Sequence, residues 1–120
     1  MARKARISAI KYGGSPEQRN HVEANVREAS ALIDQAALDR PDLVVLPECF
    51  NALGYGGGKL TSLAEPADGP TVSAMAAKAR EHRMYIVCPI YEWRDGAIFN
   101  SAILLDREGR VAATYHKMWP

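Results

Sequence analysis

The stretch PDLVVLPECF, residues 41 to 50, decides how the rest of the sequence is interpreted. Four consecutive apolar residues, Leu43 to Leu46, lead into Pro47, the carboxylate Glu48 and the thiol Cys49. An apolar run without alternation is typical of a strand that is covered on both faces, as in a layered α/β fold. The question is whether the acidic group at the end of this strand is catalytic or simply solvated.

The residues before this strand predict a strand followed by a helix. Residues 5 to 12 predict a short first strand, and the Ser, Pro and Gln of residues 15 to 18 are typical of a helix start. Apolar residues then recur at spacings of three and four as far as residue 37, which is one face of an amphipathic helix. That helix should end near Arg40, because a proline disfavours helical geometry in the residue before it.

The residues after the strand predict a loop, a second helix and three further strands. Residues 48 to 70 are too rich in glycine and proline to be regular throughout, and long loops of this kind are usually functional or mobile. The second helix should run from Thr71 to about Arg83. Strands are predicted over residues 85–93, 97–105 and 111–115, with turns at 95–96 and 106–109. This order predicts an α/β fold with a mixed sheet and flanking helices.

Composition narrows the class of protein. The 120 residues suit one domain or part of one. Fifteen basic against fourteen acidic residues give a net charge of +1, so we expect small neutral partners and neither nucleic acid nor a membrane. Two cysteines in a Cys-poor chain indicate free thiols and a cytoplasmic location. The N-terminus lacks the apolar core of a signal peptide, and no apolar run is long enough to span a bilayer.

Two charged residues follow strands at positions where chemistry is concentrated in α/β folds. Glu48 follows the strand at residues 43–46, and Lys117 follows the last strand. Functional groups of open α/β sheets lie just past the carboxyl ends of strands. A carboxylate and an ammonium at neighbouring strand ends would form an acid-base pair. The alternatives are a solvated carboxylate or a structural ion pair for Glu48, and an exposed lysine for Lys117.

Two motifs carry a resemblance to a known family. DLVVLPECF, residues 42–50, and GAIFNSAILLDREGRVAATYHKMWP, residues 96–120, resemble the nitrilase superfamily of carbon-nitrogen hydrolases. The resemblance extends over essentially the whole chain. It implies an α-β-β-α sandwich and hydrolysis of amides, N-carbamoyl compounds or nitriles through a cysteine thioester. By motif match, Glu48 is the general base and Lys117 stabilises the tetrahedral intermediate, and the family needs no metal or organic cofactor.

The sequence departs from the family pattern at the nucleophile. In the family a second glutamate and the nucleophilic cysteine follow the lysine by a few tens of residues, whereas this chain ends three residues after Lys117. Residues 1–120 are therefore expected to be the N-terminal part of a single hydrolase domain, truncated before the nucleophile and inactive alone. A sheet that ends here would leave an edge unpaired, so self-association into a homo-oligomer is expected.

Neither cysteine of the sequence is a convincing nucleophile. If the backbone at Cys49 is still extended, its side chain faces away from that of Glu48, because adjacent side chains of a strand alternate. Cys88 lies in the middle of a predicted strand, where cysteine usually behaves as a small buried hydrophobe. Both are expected to be packing residues.

The other motifs of the sequence give weaker evidence of function. GYGGGKLTS, residues 54–62, lacks the spacing of phosphate and dinucleotide loops, and we interpret it as a loop that borders a pocket or the surface. His21, His82 and His116 have no spacing that favours a metal site. Asn100 could line a pocket or hold the structure, and the structural role is favoured. Two other hypotheses remain open, a non-catalytic interaction module and an unrelated α/β module that binds a small molecule.

Overall fold

Five strands form one sheet in which spatial order follows chain order, in a computed structural model that describes residues 3–12, 22–55 and 61–118. The first three strands are parallel, and the last two are antiparallel to their neighbours. Four of the five strands therefore have their carboxyl ends at the same end of the sheet. The strands are β1 (Ile7–Ala9), β2 (Leu43–Val45), β3 (Tyr85–Arg94), β4 (Ala97–Leu105) and β5 (Val111–His116).

Two helices, α1 (Val22–Ala36) and α2 (Pro70–His82), cover one face of this sheet. Alternate residues of β3 and β4 are buried against them, and Ile86, Cys88 and Ile103 are each 0% exposed. From the helices, Ile33 and Met75 belong to the same apolar cluster and are also 0% exposed. The core is thus one layer of side chains between a sheet and a helical layer.

The opposite face of the sheet is apolar but only partly covered. In β2, Leu43 and Val45 point to this open face and are half-buried. Val44 between them faces the helices and is 0% exposed. Further out on the open face, Ile7 of β1 is 60% exposed and Tyr115 of β5 is 62% exposed. The prediction that the apolar run at residues 43–46 is covered on both faces is therefore wrong for the described residues, because helices pack on one face only.

The predicted elements agree closely with the structure after residue 70. β4 has the predicted bounds, β3 and β5 each extend one residue further, and α2 is displaced by one residue. The first strand is shorter than predicted, and the predicted helix start at residues 15–18 lies outside the described residues. α1 continues into a 3-10 turn, Ala37–Asp39, and the helix ends at Arg40, as predicted. Arg40 has a left-handed conformation rather than the extended one that is usual before a proline. The α/β class with a mixed sheet is confirmed. No helix among the described residues is long and apolar enough to cross a membrane.

The turn between β4 and β5 packs tightly against α2 at Gly109. This glycine has a φ of +79°, and a Cβ atom built on it would lie 2.6 Å from the carbonyl oxygen of Ala76. Gly96, in the turn between β3 and β4, also has a φ of +79°, but no atom would lie within 4 Å of its Cβ. The two turns therefore share a backbone requirement and differ in packing.

We expect Gly109→Ala to destabilise the protein more than Gly96→Ala. Both substitutions place a side chain at positive φ, which costs about 1 kcal/mol. Only the methyl group introduced in place of Gly109 would also collide with the α2 backbone, so we expect a total loss of about 2–4 kcal/mol there. Urea unfolding of the two variants and the parent measures this difference, and equal losses would contradict the described packing of the turn on α2.

Candidate active site

Three neighbouring strands present polar side chains at one end of the open sheet face. Tyr91 of β3 is paired in register with Asn100 of β4, and the backbone N–H of Lys117 donates to the carbonyl oxygen of Asn100 at 2.9 Å. All three line a cleft of about 420 Å³ together with Glu48. Clefts of this size bind small molecules.

The two residues that the sequence singled out meet in this cleft. Nζ of Lys117 lies 3.0 Å from Oε1 of Glu48. The prediction that the two residues lie at the ends of neighbouring strands is wrong, because β3 and β4 lie between β2 and β5. The gap is bridged because Glu48 lies beyond the last strand residue of β2, where the chain has left the sheet, and because lysine has a long flexible side chain.

Asn100 completes the contact. Its Nδ2 donates to Oε1 of Glu48 at 2.8 Å, so this oxygen receives both the amide and the ammonium. Of the two roles that the sequence left open for Asn100, the structural one was favoured, and the side chain both lines the cleft and hydrogen-bonds Glu48. Asn100 directly precedes the buried Ser101, so its side chain lies on the opposite face of β4.

Glu48 and Lys117 each favour the charged form of the other. The pKa of Glu48 is lowered from its ordinary value, first by the hydrogen bond from Lys117 and then by that from Asn100. The pKa of Lys117 is raised, mainly by the hydrogen bond to Glu48. Both groups are therefore ionised at neutral pH. Because their side chains are 60% and 43% exposed, solvent screens the attraction and its contribution to stability is small.

Cys49 lies in the cleft rather than facing away from it. Its φ is +47° and its ψ is +45°, so the backbone is left-handed here and the alternation expected of a strand does not apply. The thiol is half-buried and lines the same cleft as Glu48. Burial, followed by the negative charge of Glu48, raises the pKa of this thiol to about 11. It therefore stays protonated at neutral pH, although its side chain hydrogen-bonds Tyr91.

Cys88 is a core residue, as the sequence analysis expected. It is 0% exposed and belongs to the apolar cluster between the sheet and the helices. Burial raises the pKa of its thiol. It has no access to the cleft, because it lies on the helix-facing side of β3 together with Ile86 and Ile90.

The glycine-rich loop borders the cleft over part of its length. Leu53, Gly54 and Tyr55 are lining residues, which agrees with the prediction of a pocket-bordering loop. Residues 56–60 of the same loop lie outside the described residues. The loop is joined to β3 by Glu65, whose N–H donates to the carbonyl oxygen of Tyr91 at 3.0 Å.

One further cluster brings together groups that could ligate a metal ion. Ligand atoms of Asp34, Glu81 and His82 lie within 4.8 Å of one another. Nζ of Lys78 lies 2.9 Å from Oδ1 of Asp34 and 3.2 Å from Oε2 of Glu81, so a cation already occupies this position. The cluster is best described as an ion-pair network that joins α1 to α2. His21, the first of the three histidines, lies outside the described residues.

Comparison with known proteins finds a family whose model matches nearly the whole chain. A family model described as carbon-nitrogen hydrolase matches residues 7–119. An omega-amidase from Homo sapiens is 30% identical over 95 residues, which cover 78% of this chain and 34% of that protein. An (R)-stereoselective amidase from a Pseudomonas species is 33% identical over 81 residues, which cover 66% of this chain and 29% of that protein.

A solved structure shares the fold over nearly the whole chain. A CN-hydrolase superfamily protein from Xanthomonas campestris superposes with a TM-score of 0.81 at 25% identity, covering 97% of this chain and 41% of that one. The chain thus spans well under half the length of the relatives it matches.

We expect the pKa of Glu48 to report directly on its two donors. Lys117→Met should raise this pKa toward its ordinary value, and Asn100→Leu should raise it by less, because the lysine is the larger cause of its lowering. A carboxyl whose pKa is lowered by folding stabilises the fold above its unfolded pKa, and this is lost as pH falls through the folded pKa. A carbon-13 NMR titration of the Glu48 carboxyl measures the shifts, and a titration unchanged by either substitution would contradict the geometry.

Cys49 should react slowly with alkylating reagents. A pKa raised from 9.0 to about 11 leaves on the order of 100-fold less thiolate at pH 8 than an unperturbed thiol has. Iodoacetamide labelling followed by mass spectrometry measures the rate, with a short cysteine peptide as reference. Glu48→Gln should speed the labelling, because the negative charge of Glu48 helps to raise the thiol pKa. Labelling as fast as that of the peptide would contradict this assignment.

Proposed function

The chain belongs to the carbon-nitrogen hydrolase family. From this premise we propose that it supplies two groups of an amide-hydrolysing active site, the general base and the cation that stabilises negative charge on the substrate. The observation that carries the proposal is the contact between Lys117 Nζ and Glu48 Oε1 at 3.0 Å in a cleft of small-molecule size. Both residues also match the motifs of the nitrilase superfamily.

Glu48 acts as the general base in this proposal. Its pKa is lowered, so the group is ionised and able to accept a proton at neutral pH. A cysteine thiol that approaches it across the cleft would transfer its proton to the carboxylate as the sulfur attacks the carbonyl carbon. The same proton is then delivered to the departing ammonia or amine, and water, activated by Glu48, hydrolyses the thioester.

Lys117 stabilises the negative charge that develops on the substrate oxygen. Its ammonium is held in the cleft by Glu48 and its backbone by the bond to Asn100, so the group needs little reorganisation during the reaction. Its raised pKa keeps it charged throughout the neutral range.

The nucleophile is proposed to lie outside residues 1–120. Cys88 is 0% exposed, and the thiol of Cys49 has a pKa of about 11 beside the base. Neither matches the nucleophile of the nitrilase superfamily, which follows the motif lysine, so residues 1–120 alone are proposed to be the inactive N-terminal part of one hydrolase domain.

The substrate is proposed to be a small amide or N-carbamoyl compound rather than a nitrile. The relatives named above include an omega-amidase and a stereoselective amidase, which supports the amide class. The cytoplasmic location and self-association remain predictions. Self-association is consistent with the exposure of Ile7 and Tyr115 on the open sheet face.

Ammonia release by the complete gene product tests the proposal, with a panel of small amides, N-carbamoyl compounds and nitriles as substrates. We expect Glu48→Gln to lower kcat by about 10²–10⁴-fold and Lys117→Ala by about 10²–10³-fold. Glu23→Gln and Lys4→Ala change exposed residues of the same types and should leave turnover unaltered.

Three results would contradict the proposal. Turnover that survives Glu48→Gln would exclude Glu48 as the general base. A ligand that binds the cleft equally well with and without Glu48, in a protein that hydrolyses none of the panel, would favour the small-molecule-binding alternative. Ammonia release by residues 1–120 alone would refute the placement of the nucleophile outside them.

A further inference from the structure

A carboxyl group that the proposed chemistry does not use is buried beneath the cleft. Glu92 of β3 is 1% exposed, and its Oε1 accepts a hydrogen bond from the hydroxyl of Ser101 at 2.8 Å. Nε2 of His116 lies 3.2 Å from the same oxygen. A buried carboxyl is costly unless it is hydrogen-bonded or paired, so these contacts compensate a group that an apolar residue could have replaced.

Glu92, Ser101 and His116, here called the polar row, join three strands on the helix-facing side of the sheet. Glu92 belongs to β3, Ser101 to β4 and His116 to β5, so the contact from Glu92 to His116 ties β3 to β5 beneath β4. The ring of His116 is also stacked on that of Phe99, with centroids 4.2 Å apart and planes 13° apart. The imidazole is therefore held both at its face and at its edge.

Each member of the polar row is the sequence neighbour of a residue that lines the cleft. Tyr91 precedes Glu92, Asn100 precedes Ser101, and Lys117 follows His116. Successive side chains of a strand point to opposite faces. The polar row thus lies on the back of the same strand ends that present Tyr91, Asn100 and Lys117 to the cleft.

The end of β5 lies on an outer strand of the sheet. Among the described strands β5 is paired only with β4. His116 is its last residue, and Lys117 lies just beyond. Outer strands held by one backbone ladder open more readily than central ones. A side-chain tie from His116 to the central strand β3 would limit that motion.

We propose that Glu92 is a positioning residue that acts through His116 to hold Lys117 within hydrogen-bonding distance of Glu48. The inference rests on the proposed function only in treating Lys117 and Glu48 as the catalytic pair. The contact between them can be measured without any turnover, so the two proposals can fail separately.

The competing explanation is that Glu92 is a structural or long-range electrostatic group. The two explanations predict opposite signs at Glu48. Removal of a nearby negative charge alone would lower the pKa of Glu48, because a like charge disfavours ionisation. Loss of the lysine contact would raise it, because that contact is the main cause of its lowering.

The first experiment is a carbon-13 NMR titration of Glu48 in Glu92→Gln. We expect its pKa to rise by about 0.5 unit or more, a fraction of the 1–3 units that an adjacent cation can supply. Ile103→Val is the matched control, since it thins the same buried face of β4 without touching the polar row. An unchanged or lowered Glu48 pKa in Glu92→Gln, or an equal rise in the control, would overturn the inference.

Glu92→Gln changes a buried residue and could impair folding. A second pair of variants, at His116, tests the same inference without changing that buried residue. The side chain of His116 is 34% exposed, so substitutions there are better tolerated. His116→Ala should raise the Glu48 pKa, and His116→Gln should return it toward the parent value, because a glutamine amide can still donate to Glu92. Equal values in the two variants would refute positioning through a hydrogen bond.

In the complete protein, Glu92→Gln should lower kcat several-fold with KM little changed. A change in KM alone would count against positioning of the lysine. If Lys117→Ala retained turnover while the Glu48 titration still responded to Glu92→Gln, the proposed function would fail and the positioning of Lys117 would stand.

Discussion

The strict alternation of side chains along β3 and β4 is the constraint on which the rest of the structure depends. Ile86, Ile90 and Ile103 must face the helices to be buried, and that requirement sets the register of the two strands. Once the register is set, the side chains of Tyr91 and Asn100 must lie on the opposite face of the sheet. A slip of one residue would bury Asn100 and expose the core, so the core fixes the cleft.

The same constraint explains why polar groups occur on both faces at one end of the sheet. The cleft presents an amide and an ammonium there, each at hydrogen-bonding distance from Glu48. Apolar packing is less directional than hydrogen bonding and holds an outer strand weakly at its end. The contacts of Glu92 with Ser101 and His116 are directional, and they lie where β5 ends. A buried carboxyl of this kind is better understood as specifying geometry than as adding stability.

Local patterns predicted the elements well and the contacts poorly. The bounds of β4 follow from the turn at Asp95 and Gly96 and from an apolar run, both of which are local signals. The role of Asn100 depends on Glu48, 52 residues away, and no local pattern reports that distance. Glu92 was missed because a glutamate near the end of a strand is usually solvated. The error at Cys49 came from extending strand geometry into a residue whose backbone is left-handed.

The position of Cys49 beside Glu48, the proposed base, shows how a carboxylate affects a neighbouring thiol. A carboxylate next to a thiol raises the thiol pKa, since the thiolate would be a second negative charge at close range. Proximity to the base therefore does not produce a stable thiolate. The base is useful only when it accepts the proton while the sulfur attacks, with the new charge moving to the substrate oxygen. A nucleophile served by Glu48 must then attack the substrate carbon from a position at which the substrate oxygen also meets the Lys117 ammonium, which lies 3.0 Å from Glu48.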